Sequence, residues 1–240
     1  GPFFFRPLLP FKEIFPQGAD YPARSWLGGV QHAVPATAEA NSQKSYFVFE
    51  QPQSYDLAAL SHDRANKIRK GLKLFQWRRI RDEAQFIEHA HPVYQDFVER
   101  TQYGFGKERR TPRNFAKWVH SLFGHPKVVV SGAYRGDQLS AVGIYYLVGD
   151  LFVYNTYFSD TDSQRLQVHD FVLHHLRTEA AATAARILYM GPQTGVEGID
   201  RAKAIRGCTL VTQRSHLWLN PLAGGLLKLL RPRIHAHLWG

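Results

Sequence analysis

Among its 240 residues the chain has one cysteine, Cys208, and one methionine, Met190. A single thiol excludes an intrachain disulfide framework and a structural zinc site built on thiolates. It suits a reducing compartment. No apolar run approaches the roughly 20 residues of a membrane-crossing helix, and no secretory signal is visible. The expected location is the cytoplasm, with the inner face of a membrane as a peripheral option. Histidines number 12, yet none has metal-site spacing. His169 and His174 lie five apart, off one helical face, and His174 and His175 diverge. No metal site is expected, and no tightly bound cofactor. No internal repeat is found. Acids are scarce: 20 Asp and Glu stand against 30 Lys and Arg, a net charge of +10. That surplus favours a polyanionic partner: RNA, a CoA-type nucleotide or an anionic membrane face. No RRM or KH signature is present, and no DNA partner is expected.

What is present is ample core material. Hydrophobic residues make up 44%, with 16 Phe, 11 Tyr and 5 Trp, enough for one large domain. Gly1-Pro2 stands where Met is usual and is expected to be a remnant of expression. Residues 3–45 carry Pro7, Pro10, Pro16, Pro22 and Pro35. That density forbids a long helix and predicts an irregular arm laying its Phe and Trp side chains over the core. Aromatic and β-branched residues at 45–51 predict a strand. The period then changes. Leu57, Leu60, Arg64 and Ile68 line one side of a helix over 55–73, with Gly71 as its stop. Alternation at 74–81 gives a strand. Acids open a helix at 82–103, which Pro92 should break or kink. A helix at 111–124 has Thr111 as N-cap, Pro112 at the first position and Gly124 as terminator.

Three strands follow, at 127–134, 139–148 and 151–158, joined by turns tight enough for an antiparallel meander. The segment 163–185 is expected to be the longest helix, with Val168, Phe171, Val172, His175 and Leu176 on one face. A strand at 186–190, a short charged helix and a strand at 209–219 complete the order. The tail 221–240 holds a short amphipathic piece.

Strand, two helices, three-strand meander, long helix, strand, helix, strand is the order of the GNAT acyltransferase fold. Two segments sharpen the likeness. LSHDRANKIRKGLK (60–73) is similar to an Arg-rich helix of the Fem-type peptidyltransferases and of the BioF2-like acyltransferases. GIDRAKAIRGC (198–208) resembles their G-[LI]-x-x-[FA]-K-x-x-[FR]-G segment. The resemblance implies an α/β (α+β) fold: a mixed, mostly antiparallel, GNAT-like sheet flanked by helices. It implies a single domain over 46–220, between the arm and the tail. Fem-type enzymes carry two such domains, and this chain has length for one. Ala202 and Arg206 stand where those proteins carry aromatics. Where CoA-binding members place a glycine loop, this chain reads FSDTDSQRLQV, with two aspartates and no glycine. Asp160 and Asp162 are expected to cap the following helix and repel a pyrophosphate.

The implied activity is transfer of an acyl or aminoacyl group, from acyl-CoA or aminoacyl-tRNA, to an amine. Lys203 matches the motif lysine, which in the family lies by the active site and stabilises negative charge. Arg201 and Arg206 add phosphate contacts, and Ser163, Gln164 and Arg165 sit in the donor-loop position. Arg64 and Lys67 form an anionic-substrate clamp or, as readily, part of a solubilising face. In a GNAT-like fold the chemistry lies where the fourth and fifth strands splay. Tyr154, Asn155, Thr156 and Tyr157 stand on one and Tyr189 on the other, with a tyrosine as acid to the leaving group. Alternation places Tyr154 and Thr156 on one face and Asn155 and Tyr157 on the other. Asp200 is a candidate base, or else a partner of Arg201 or a helix cap. Asn155 and Tyr157 are further acceptor-side candidates. Cys208 is expected to be a small buried thiol. The rival reading is a degenerate GNAT module that binds RNA or a protein partner without catalysis. Both termini are expected to pack onto the core, with a weak membrane-surface contact of the leucine-rich tail and the aromatic arm as the alternative.

Overall fold

The computed structural model describes residues 5–7, 9–21, 23–102 and 106–239. Gly1-Pro2, the expected expression remnant, lies outside the described residues. The elements run β1 Phe5–Pro7, β2 Gly29–Ala33, β3 Ser42–Glu50, α1 His62–Leu74, β4 Gln76–Arg79, α2 Glu83–Thr101 and α3 Pro112–Phe123. The meander follows as β5 Val128–Arg135, β6 Gln138–Val148 and β7 Leu151–Ser159. Then come α4 Thr161–Arg165, α5 Val168–Ala181, β8 Ile187–Pro192, α6 Glu197–Ile205, β9 Thr209–Leu219, α7 Pro221–Leu230 and α8 Pro232–Trp239. They divide into two compact units: Val48–Gly191 with Ala202–Thr209, and Gly1–Phe47 with Pro192–Arg201 and Leu210–Gly240.

In the larger unit β4, β5, β6 and β7 pair antiparallel in sequence order, and β8 joins β7 in parallel. Gly136 (φ 62°) and Gly149 (φ 60°) supply the left-handed residues that the two tight turns require. Alternation along β6 sends neighbours to opposite faces. Val142 and Ile144 meet Phe86, Val98, Phe115 and Val119 from α2 and α3 in one buried cluster. On the other face Gly143 leaves room for Trp77 and Val172. A Cβ there would lie 3.0 Å from the Trp77 ring. Helices therefore cover both faces of this sheet. In the smaller unit β2 pairs antiparallel with β9, Gly29 opposite Leu219, and β1 lies parallel to β2. The segment expected to be an irregular arm thus contributes strands. Its Trp26 and Phe15 are 52% and 55% exposed rather than laid into a core.

From β4 to β9 the element order matches the sequence reading apart from one split helix; the boundaries differ for local reasons. α1 starts at His62, not at 55, because the Asp56 carboxylate accepts from the Ala58 N–H (2.8 Å) and holds a turn. Gly71 does not stop α1. It lies within the helix, where a Cβ would come within 2.7 Å of the Phe171 Cβ, so its role is to let α1 and α5 approach. α2 runs unbroken through Pro92, whose side lies exposed, so the carbonyl left unpaired faces solvent. Among the described residues α2, with 19, is the longest helix. The segment 163–185 is instead two helices, split where Gln167 adopts a left-handed φ of 67°. α5 ends early because the Thr183 hydroxyl donates to the Ala180 carbonyl (2.7 Å) and accepts from Ala185 N–H (3.2 Å). α3 has the predicted cap: Thr111 accepts from Asn114 N–H, with Pro112 at the first position.

Candidate active site

β7 and β8 pair over only three rungs, Leu151–Val153 against Ile187–Tyr189. Beyond Val153 the two parallel strands part, which opens a gap lined by the second half of β7. At the same place the register with β6 slips: Tyr145 faces Tyr154 and Ile144 faces Thr156, which leaves Asn155 as a bulge. The bulge overturns the strict alternation read from the sequence. Tyr154 and Tyr157 come together, rings 6.4 Å apart, while Asn155 is exposed and donates to its neighbour Thr156.

Tyr157 stacks on His169 of α5, ring centroids 4.3 Å apart and nearly parallel. Its hydroxyl donates to Gln164 Oε1 (3.2 Å), which also accepts from Ser159 Oγ. The Tyr154 hydroxyl is buried and makes no hydrogen bond among the described residues. Burial raises the pKa of both tyrosines, so each stays a neutral donor. Burial, aided by the charge of Arg206, lowers His169 to about 3 and keeps its imidazole neutral. Tyr189 stands on the last paired rung opposite Val153.

Arg206 follows the end of α6. Its Nη1 donates to the Ala202 carbonyl (2.9 Å), and its Nε lies 3.6 Å from Asp170 Oδ1. Arg64 turns inward from α1, its guanidinium over Gly207, where a Cβ would stand 2.9 Å from Nη1. Arg177 lies between the rings of Phe49 (4.2 Å) and Tyr55 (4.0 Å). Lys203 reaches strand β8 at Gly191, whose φ of 102° and missing side chain admit the ammonium. Arg64, Arg177, Lys203 and Arg206 all act electrostatically on Cys208. Desolvation still wins over those four cations and raises the thiol to about 11, so Cys208 is an inert buried group. Asp170 is the carboxylate that faces Arg64 and Arg206. The cluster carries excess positive charge.

The other sequence candidates lie elsewhere or are already engaged. Lys67 pairs with Asp63 on the outer side of α1 (2.7 Å), apart from Arg64. Arg201 is exposed. The Asp200 carboxylate accepts from the N–H groups of Thr194 and Gly195 and from the Thr194 hydroxyl (2.9 Å), clasping the loop before α6. At α4, Asp160 accepts from Ser163 N–H (2.6 Å) and Ser163 Oγ (3.0 Å). Asp96 of α2 accepts from Thr161 N–H and Oγ1 (2.5 and 2.7 Å). Carboxylates thus hold amides that would otherwise face an anion. Arg165 is exposed beside Asp162 (3.7 Å). Sequence reasoning missed Arg177, Asp170 and the pairing of His169 with Tyr157. The last follows from the bulge, which no composition or spacing announces. Among the described residues no cluster of three His, Cys, Asp or Glu is placed to hold a metal.

No protein-family model and no curated protein sequence matches the chain. Solved structures do. FemX aligns over 84% of this chain and 74% of its own, with a TM-score of 0.63 and 9% identity. The chain has a GNAT-like fold. L-PGS from Bacillus licheniformis gives a TM-score of 0.54 at 10% identity, over 88% of this chain and 74% of its own. A conserved Bacteroides thetaiotaomicron protein gives 0.55 at 13%, over 80% and 69%.

Proposed function

We propose that the chain transfers an acyl or aminoacyl group to an amine in the gap between β7 and β8. The observation that carries this reading is the buried Tyr154 hydroxyl. It has no hydrogen-bond partner among the described residues, is held protonated, and stands where the strands part. Leaving a buried hydroxyl unpaired costs about 1–3 kcal/mol, a cost that a bound substrate oxygen or sulfur removes. In the proposed step the acceptor amine attacks the donor carbonyl carbon and the carbonyl oxygen takes the negative charge. Lys203 and Arg206 stabilise that charge. The amine loses its proton to water; His169, lowered to about 3 by burial, is too weak a base to take it and serves to pack against Tyr157. As the bond to the leaving thiolate or alkoxide breaks, Tyr154 O–H donates to it. Tyr157 and Gln164 hold His169 and the gap wall in place; Tyr189 borders the gap from β8. Arg64 and Arg177 with Arg206 bind an anionic part of donor or acceptor. Asp200 positions the loop that carries α6, and Asn155 offers an exposed amide at the bulge.

The occupied amides of α4 favour aminoacyl-tRNA over acyl-CoA as donor. The same observation supports a second reading, an RNA- or partner-binding module without transfer. Ligand-induced changes in melting temperature separate them, because a ligand that binds only the folded state raises it. The chain is heated with CoA, acetyl-CoA, uncharged tRNA and charged tRNA at two salt concentrations. Stabilisation by charged tRNA with transfer to an amine supports the tRNA donor; stabilisation by acetyl-CoA with transfer makes it a thioester enzyme. Salt-sensitive stabilisation by tRNA without transfer favours the binding module.

A further inference from the structure

Helix α7 wears its apolar face outward. Leu222, Leu226, Leu229 and Leu230 recur at helical spacing and are 80%, 59%, 77% and 68% exposed. The opposite side of the helix meets its own unit. A Cβ on Gly224 would touch Leu219 at 3.6 Å, and Asn220 caps the first turn through Leu222 and Ala223 N–H. The Asn220 side chain also donates to the Trp26 carbonyl (3.1 Å), which sets exposed Trp26 and Leu27 beside the start of α7. The following helix α8 is fixed to the same unit: its Leu238 carbonyl accepts from Ser42 Oγ (2.7 Å) and Gln31 Nε2 (3.2 Å). It adds Ile234 and Trp239, 52% and 40% exposed. Six large apolar side chains on two anchored helices are thus in water, more than scattered surface leucines explain.

The charge around them identifies the partner. From residue 221 to residue 240 the sequence holds three Lys and Arg, at 228, 231 and 233, and no Asp or Glu. Lys228 and Arg231 flank the leucines at the end of α7. We infer that α7 and α8 form a docking face for an anionic lipid bilayer. The leucines and Trp239 enter the boundary between headgroups and acyl chains, and the basic residues meet lipid phosphates. The helices lie in the interface and do not cross it; no helix among the described residues is long and apolar enough to span a bilayer. This inference stands apart from the transfer reaction and holds whether or not that reaction occurs.

The test is flotation of the full chain with phosphatidylcholine vesicles and with vesicles carrying roughly three-tenths phosphatidylglycerol. The expected result is binding to the anionic vesicles only, at least ~10-fold weaker when salt rises from about 0.05 to about 0.5 M. Leu226→Glu with Leu229→Glu abolishes flotation while melting stays unchanged, because both side chains lie in solvent. Lys228→Ala with Arg231→Ala keeps the leucines and weakens binding severalfold, a second variant that does not depend on the first. Equal binding to both vesicle types, or none to either, overturns the inference. So does a self-associated species in light scattering that the glutamate pair dissociates, which would assign the face to a second copy.

Discussion

Helices α3 and α7 share one sequence grammar and meet opposite fates. Each begins with a capping side chain followed by proline, Thr111-Pro112 and Asn220-Pro221, and each carries an apolar stripe. α3 buries its stripe: Phe115 and Val119 are inaccessible and sit among Phe86, Tyr94 and Val142. α7 leaves its stripe in solvent. Propensity, capping and periodicity decide that a helix forms and which face is apolar. They do not say what that face touches. A stripe in a core is a stability element; the same stripe in water is an unfilled contact.

The strongest way to break this contrast is to truncate both stripes. Phe115→Ala should cost about 3–5 kcal/mol in chemical denaturation, the usual range for a fully buried phenylalanine. A cost below ~1 kcal/mol would mean that α3 is not the core helix described. Next comes the close approach of α1 and α5. Gly71→Val sets a branched side chain against Phe171, where even a lone Cβ would stand only 2.7 Å away, and should destabilise by about 1–3 kcal/mol. Leu226→Ser anchors the other end of the scale and should change stability by less than about 0.5 kcal/mol. A larger loss would show that the stripe on α7 is packed in solution after all.

Acid sharpens the comparison differently. His169 and His175 titrate at about 3 and about 4, lowered chiefly by burial, and His174 is lowered for the same reason. Unfolded, each takes a proton near 6.5. Unfolding therefore takes up protons at mildly acidic pH, and stability falls as pH drops from about 6.5 toward 4. Melting temperature against pH should show that slope, and His169→Gln should flatten part of it. An unchanged slope in that variant would mean the imidazole is solvated. These groups belong to the α5 side of the sheet; α7, which has no histidine, contributes none of the effect.

The chain discloses its element order well because turns and caps are local chemistry: Gly136 and Gly149 at the turns, Thr111 before Pro112. It discloses the site poorly because the site is made by non-local events. The bulge at Asn155 turns Tyr154 toward Tyr157, and a register slip leaves no trace in spacing. Gly71 reads as a terminator because a glycine needed for helix approach and one needed for a helix end are the same letter. The split at Gln167 has no proline or glycine to mark it. Asp160 is legible as the cap of α4, since it lies three residues before Ser163; Asp162, also expected to cap, falls inside α4 and pairs with Arg165 instead. The second carboxylate, Asp96, comes from 65 residues away. The motif points to Lys203, and the charge run beside it to Arg206. Arg177, packed between Phe49 and Tyr55, has nothing local to distinguish it from a surface arginine.

The most direct test of transfer in the gap is a single-turnover reaction from charged tRNA and from acetyl-CoA to hydroxylamine, a small general acceptor. It compares the wild-type chain with Tyr154→Phe and Lys203→Ala. The wild type is predicted to transfer. Each variant is predicted to drop by about 10²-fold, with a melting temperature near that of the wild type. No transfer by the wild type from either donor, or transfer at the wild-type rate in both variants, would contradict the proposed chemistry.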